Sequence, residues 1–236
     1  ICVLRNLTPQ ALEESLRELA KAIDEAQILM LPGGFSGGDE PDGSAKFITA
    51  VLRSPVICEA VTRLLDERLG LVLGICNGFQ ALIKCGLLPG GRILPALTPD
   101  SPTLTYNLIG RHQSMMVTTR VSSVKSPWMR YCEPGELYAI PISHGEGRFT
   151  APAAVLQELI RNGQVATQYV DENGAPSMQT RHNPNGSDLA IEGIFSPDGR
   201  IFGKMGHSER YGDNIAKNVP GNKYQPIFKA GVDYYK

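Results

Sequence analysis

The 236-residue sequence predicts an α/β protein with a doubly wound, mostly parallel sheet in its first half and added antiparallel strands in its second. Three observations predict it. Short apolar runs alternate with amphipathic stripes as far as Gly90, the connections between them are short, and past Gly90-Gly91 strand and turn patterns take over. Strands alternating with helices over short loops bury a parallel sheet under helices on both faces. No linker, repeat or low-complexity segment divides the chain, so residues 1–236 read as one domain with a mixed sheet.

Ile1 to Leu4 is expected as a short strand, and Thr8-Pro9 as a helix start with a capping hydroxyl ahead of proline in the first turn. Leu12, Leu16, Leu19, Ile23 and Ala26 then form the stripe of an amphipathic helix. Ile28 to Leu31 is a buried strand stopped by Pro32-Gly33-Gly34, and a loop over Phe35 to Gly43 leads to two helical stretches. The second opens at Ser54-Pro55 and is striped by Val56, Ala60, Val61, Leu64 and Leu65. Gly70 to Ile75 is the next strand and Phe79 to Cys85 the next helix. Strands are expected over Met115–Val121, Leu137–Ile142, Val165–Val170, Leu189–Phe195 and Arg200–Met205, with a helix over Pro152–Arg161. Asp171-Glu172-Asn173-Gly174 closes one strand. Ser196-Pro197-Asp198-Gly199 marks a hairpin between the last two.

Composition narrows the function. With 23 Lys+Arg against 24 Asp+Glu and no basic run, the chain has no electrostatic footprint for nucleic acid. No window offers the ~20 uninterrupted apolar residues of a membrane helix, and the first residues lack a signal-peptide plan. Five scattered cysteines without Cys-x-x-Cys spacing argue against a disulfide framework or a zinc site, and the simplest compartment is a reducing cytoplasm.

Gly74-Ile75-Cys76-Asn77-Gly78 carries the chemistry. A strand running into Gly-x-Cys-x-Gly and then a helix is the thiol form of a nucleophile elbow, in which small neighbours permit a strained turn. At the helix start, backbone amides and the dipole favour the thiolate. Gln80, four residues on, shares that helix face. The alternative, a structural cysteine in a tight turn, leaves the second glycine unexplained.

A thiolate acting on an acyl centre needs a base, something to orient it, and donors for the oxyanion. Among the four histidines, His207 follows a late strand with Glu209 two positions on, where an extended backbone points both side chains the same way. The bland reading of His-x-Glu is a surface pair; its place in the chain, after the nucleophile, favours a base and its orienter. The glycine-rich loop from Pro32 to Asp39, together with the Asn77 amide, is the candidate oxyanion site. No Walker A pattern accompanies it, which leaves phosphate binding the weaker reading. His182 reads as a loop residue. His144-Gly145-Glu146-Gly147-Arg148-Phe149 reads as a turn or loop beside the site or at an interface.

Gly-Ile-Cys-Asn-Gly-Phe-Gln with a distal His-x-Glu resembles the triad-type (class I) glutamine amidotransferases. Pro32-Gly33-Gly34-Phe35-Ser36 with Gly38-Asp39, Cys76-Asn77-Gly78 and His144 to Phe149 resemble, more narrowly, the glutaminase domains of phosphoribosylformylglycinamidine synthases, over nearly the whole chain. The resemblance implies a flavodoxin-like fold in which Cys76 attacks the side-chain amide of L-glutamine, His207 protonates the departing ammonia and Glu209 orients His207. Water then hydrolyses the thioester. It also implies glutamine contacts from Gln80 and the loop around Arg111, and an oxyanion hole at Gly34 or Phe35. It implies no cofactor for this region: ATP and Mg belong to a synthetase domain, in the same or a partner chain, which uses the ammonia to make formylglycinamidine ribonucleotide.

Two departures stand out. The family's Pro-His-Pro-Glu-Arg reads Gly206-His207-Ser208-Glu209-Arg210 here, keeping base and acid on a less rigid backbone. The chain begins at Ile1, and by the resemblance Ile1–Leu4 and the following helix match the family's second strand and its helix. The expectation is a C-terminal fragment of a fused synthase without the first strand and helix. Competing readings are the glutaminase part of another amidotransferase, a non-catalytic module of the same fold, and a dienelactone-type cysteine hydrolase, whose acid should precede the histidine.

Overall fold

The computed structural model describes residues 2–34 and 44–236. Among these, seven strands form one sheet in the order β1-β2-β9-β8-β7-β4-β5 and two form a separate ribbon, β3-β6. The strands are β1 (Ile28–Leu31), β2 (Leu71–Ile75), β3 (Thr103–Tyr106), β4 (Gln113–Val121), β5 (Leu137–His144), β6 (Glu146–Thr150), β7 (Val165–Tyr169), β8 (Ile191–Phe195) and β9 (Ile201–Lys204). The helices are α1 (Pro9–Glu25), α2 (Lys46–Leu52), α3 (Pro55–Thr62), α4 (Asn77–Cys85), the single turn α5 (Leu87–Gly90), α6 (Ala153–Arg161) and α7 (Ile227–Asp233).

β1, β2 and β9 run parallel, and β9-β8-β7-β4-β5 are antiparallel neighbours. The α/β class with a mixed sheet is as expected, but its parallel share is smaller than a mostly parallel sheet. The second-half strands join by hairpins and meander away from β9 instead of crossing over through helices. β2 sits between two parallel neighbours and is buried along its whole length, which explains its unbroken apolar run.

Local chemistry sets the element ends. Thr8 caps α1, its hydroxyl accepting from the Ala11 amide at 3.2 Å, and Ile23 and Ala20 carry the stripe into the core. α3 starts at Pro55 and continues past Thr62 as one π-helical turn, which buries Leu64 and Leu65. The Ser196–Gly199 hairpin forms as expected, with Asp198 accepting from the Ser196 hydroxyl and Gly199 at φ 78°.

Several expectations shift. Residues 2–4 are not a strand: the segment runs along α1, where Ser15 accepts from the Arg5 amide at 3.2 Å, and so does not pair with the sheet. Leu189 and Ala190 form a 3-10 turn with φ of 51° and 55°, delaying β8 to Ile191. The His144–Phe149 segment is strand on both sides of Gly145, not a loop. β3, β6 and α7 are elements without a sequence expectation. The loop expected over 35–43 lies outside the described residues.

Candidate active site

Parallel pairing brings the carboxyl ends of β1, β2 and β9 to one edge of the sheet, where ligands collect in open α/β folds. β1 leads into Gly33-Gly34, β2 into Cys76 and β9 into Gly206-His207. The Cys76 amide donates to the Lys204 carbonyl at 2.8 Å, setting the nucleophile's register against the strand that carries the histidine.

Cys76 adopts φ 52°, ψ −106°, the strained turn that the Gly-x-Cys-x-Gly pattern predicts. The flanking glycines let strand and helix approach. A Cβ on Gly74 would lie 2.6 Å from Leu82 Cδ1, and one on Gly78 would run into the Leu31 carbonyl, whose carbon would be 2.6 Å away. Gly33 performs the same service for the chemistry. A Cβ there would lie 2.6 Å from His207 Cε1 and 3.1 Å from Cys76 Cβ, so the Cys76 and His207 side chains pack over one bare backbone position, with the Cys76 Sγ 3.8 Å from the Ser143 carbonyl.

His207 is 1% exposed and its Nδ1 donates to Glu209 Oε1 at 2.5 Å, leaving Nε2 as the basic nitrogen. Burial raises the Glu209 carboxyl, but hydrogen bonds from the His207 ring and from its own backbone amide, with His207 and Arg210 nearby, bring it below its ordinary value. Burial pushes the Cys76 thiol up to about 11, against the hydrogen bond from the Asn77 amide and the attraction of Arg210. The helix-start effect is therefore present and outweighed. At 1.36 kcal/mol per unit, forming the thiolate at pH 7 costs about 5 kcal/mol, which an adjacent base must help to meet.

These groups open into a cleft of about 370 Å³ lined by Gly34, Ser44, Cys76, Asn77, Gln80, Tyr106, His112, His144, Glu146, His207 and Arg210 among others. A groove of about 470 Å³ between Arg120, Ile160, Met178 and Leu189 is roomier but is lined by no cysteine or histidine. Gln80 reaches the cleft as its helix position predicts, its side-chain amide donating to the Glu146 carbonyl at 2.5 Å. Gly34, at φ 123°, and Asn77 both line it. Phe35 lies outside the described residues. The Arg111 side chain is exposed and does not line the cleft. Tyr106 and His112 represent its loop there, and His112 Nε2 lies 3.0 Å from Ser143 Oγ.

His144 is buried in the cleft wall. Asn107 donates its amide to the Arg111 and His144 carbonyls, so its Oδ1 accepts from His144 Nδ1 at 3.2 Å. Burial first, and then the neighbouring His112 and His207, lower this imidazole to about 4, so it stays neutral near pH 7.

A family model for the CobB/CobQ-like glutamine amidotransferase domain matches residues 6–235. The chain belongs to that glutamine amidotransferase family. Within it, phosphoribosylformylglycinamidine synthase subunit PurQ of Aquifex aeolicus is 36% identical over 201 residues, 85% of this chain and 80% of its own length. The PurQ of Thermomicrobium roseum is 38% identical over 193 residues, 82% and 73% of the two chains. Among solved structures, PurLQS from Thermotoga maritima superposes with a TM-score of 0.65 at 29% identity, covering 90% of this chain and 82% of that one. The glutaminase domain of Trypanosoma brucei CTPS, at 14% identity and a TM-score of 0.51 over 96% of this chain and 76% of that one, shares the fold alone.

Sequence reasoning did not single out three residues that lie beside Cys76 or His207. Gly33 was visible only as one glycine of a loop, because the need for it arises from two side chains distant in sequence. Glu192 and Lys204 lie fully buried behind the histidine, and their signal was a lone charge inside each of two apolar strand runs.

Proposed function

We propose that the chain hydrolyses L-glutamine to glutamate and ammonia at Cys76, as the glutaminase of phosphoribosylformylglycinamidine synthase. The observation that carries this is the meeting of Cys76 and His207 at Gly33 in one cleft, with Glu209 hydrogen-bonded to the His207 ring from behind. The family match and the PurQ relatives supply the reaction class.

The thiol proton passes to His207 Nε2, since Nδ1 is engaged by Glu209. The sulfur attacks the side-chain carbonyl of glutamine, and the backbone amides of Asn77 and the Gly34 turn take up the oxyanion charge. The tetrahedral adduct collapses as His207 returns the proton to the departing nitrogen, releasing ammonia and leaving a glutamyl thioester. His207 then takes a proton from water, the hydroxide displaces the sulfur, and glutamate leaves with the thiol restored. Gln80 and the wall around Glu146 hold the substrate.

The ammonia passes to a synthetase partner, which uses ATP and Mg to convert formylglycinamide ribonucleotide to its amidine. The test is glutamate release with and without that partner. Cys76→Ala should abolish it, and glutamate still released by that variant would sink the proposal.

A further inference from the structure

Two fully buried, oppositely charged side chains lie immediately behind His207, and the mechanism above uses neither. Glu192 (β8) and Lys204 (β9) are both 0% exposed, with Lys204 Nζ 3.7 Å from Glu192 Oε1. The same Glu192 oxygen accepts from the Gly206 amide at 2.5 Å, and its other oxygen accepts from the Thr167 hydroxyl. Lys204 donates to Ser208 Oγ at 2.7 Å and to Gln225 Oε1 at 2.8 Å, and the Ser208 hydroxyl donates to the same Gln225 oxygen at 2.6 Å. The residue before His207 is thus tied to the buried carboxylate and the residue after it to the buried ammonium. The Lys204 carbonyl also accepts the Cys76 amide.

A buried ion pair is a poor stabilising device. Desolvating two charges costs about as much as their attraction returns, and well-packed apolar replacements are often as stable or more so. Two apolar strands had no need of these charges for the core. What the pair does supply is direction, because hydrogen bonds to charged groups are short and geometrically demanding.

We infer that Glu192 and Lys204 are positioning residues for the glutaminase reaction, clamping Gly206 and Ser208 so that His207 is held between Glu209 and Cys76. Neither touches substrate. The clamp works through backbone placement: His207's own amide donates to the Pro141 carbonyl at 2.8 Å, so three successive residues are anchored. The inference rests on the glutaminase reading, and two readouts separate the fates of the two.

The experiment compares the parent chain with Glu192→Leu/Lys204→Met, which removes both charges at similar volume, and with Glu192→Gln, which keeps an acceptor for the Gly206 amide. Steady-state glutamine hydrolysis is measured alongside the proton resonance of His207 Nδ1–H in histidine-labelled protein. A misplacement of ~1 Å costs up to about 100-fold in rate. The double variant should lose on the order of 100-fold in kcat with KM unchanged, and its far-downfield Nδ1 resonance should shift or broaden away. Glu192→Gln should recover most of both. Should the double variant fail to fold, Ser208→Ala removes one clamp alone, with a smaller kcat loss and a displaced resonance expected. A folded double variant, or failing that Ser208→Ala, that keeps the parent's resonance overturns the inference, whatever its activity. If the parent itself releases no glutamate, the glutaminase reading fails and the resonance still decides the clamp.

Discussion

Replacing Gly33 with alanine adds one methyl group outside the reacting set and should cost most of the catalytic rate. The Cβ would lie 2.6 Å from His207 Cε1 and 3.1 Å from Cys76 Cβ. Ordinary carbon contact begins near ~3.5 Å, so the ring must retreat by about 0.9 Å or the backbone at Gly33 must move by as much. His207 has little room, being tied to Glu209 through its ring and to Pro141 through its amide. A displacement of this size between base and nucleophile is worth up to about 100-fold in kcat. Overpacking costs a further ~1–3 kcal/mol of stability. Gly33→Ala should therefore fold, bind glutamine with KM near the parent's and turn over roughly 100-fold more slowly. The assay is steady-state glutamate release with a parallel urea titration. A variant within twofold of the parent in kcat would refute the claim that the Cys76 and His207 side chains depend on this bare packing position.

Three further outcomes follow from the same geometry. Alanine in place of glycine inside a helix ordinarily gains about 1 kcal/mol. Gly78→Ala in α4 should instead lose ~3 kcal/mol or more, because its Cβ meets the Leu31 carbonyl. A urea midpoint at or above the parent's would contradict it. His144, held near 4 by burial, binds fewer protons in the folded chain than its ordinary 6.5 gives the unfolded one. Stability should thus fall as pH drops from 6.5 towards 4, by up to about 3 kcal/mol at 1.36 per unit, and His144→Gln should flatten that limb. An unchanged slope in the variant would assign the loss to other groups. Alkylation of Cys76 by iodoacetamide should accelerate with pH well past 9, in line with a thiol pushed up to about 11. A rate already level at pH 7 would mean the resting site holds a thiolate.

The parts of the site that a linear reading recovers are those in which one short segment contains its own reason. The turn at Cys76 needs glycines two residues away on either side, and Glu209 reaches His207 from two residues along the same extended backbone, so spacing alone proposed both pairs. The sheet's first half was legible for a similar reason: β2 is buried on both faces and reads as an apolar run. The short apolar run at residues 2–4 reads as a strand because it does not reveal that Ser15 of α1, and not a sheet edge, takes up a neighbouring amide. β6 was obscured by the glycines of His144–Phe149. Gly147 is there because the His144 ring packs against it, a long-range requirement that looks locally like a turn. The parallel share of the sheet was overestimated because hairpin signals report adjacency and not how far the meander extends. At Arg111 the carbonyl accepts from Asn107 and the residue is exposed, a placement that loop position in the sequence does not convey.

The most direct test of a glutamine-directed Cys76 is intact-mass spectrometry after exposure to a glutamine-like diazoketone, with Cys76→Ala alongside. The account predicts a single adduct on the parent chain, suppressed by excess glutamine and missing from the variant. An adduct that persists on Cys76→Ala, or a folded parent chain that takes up none, would contradict it.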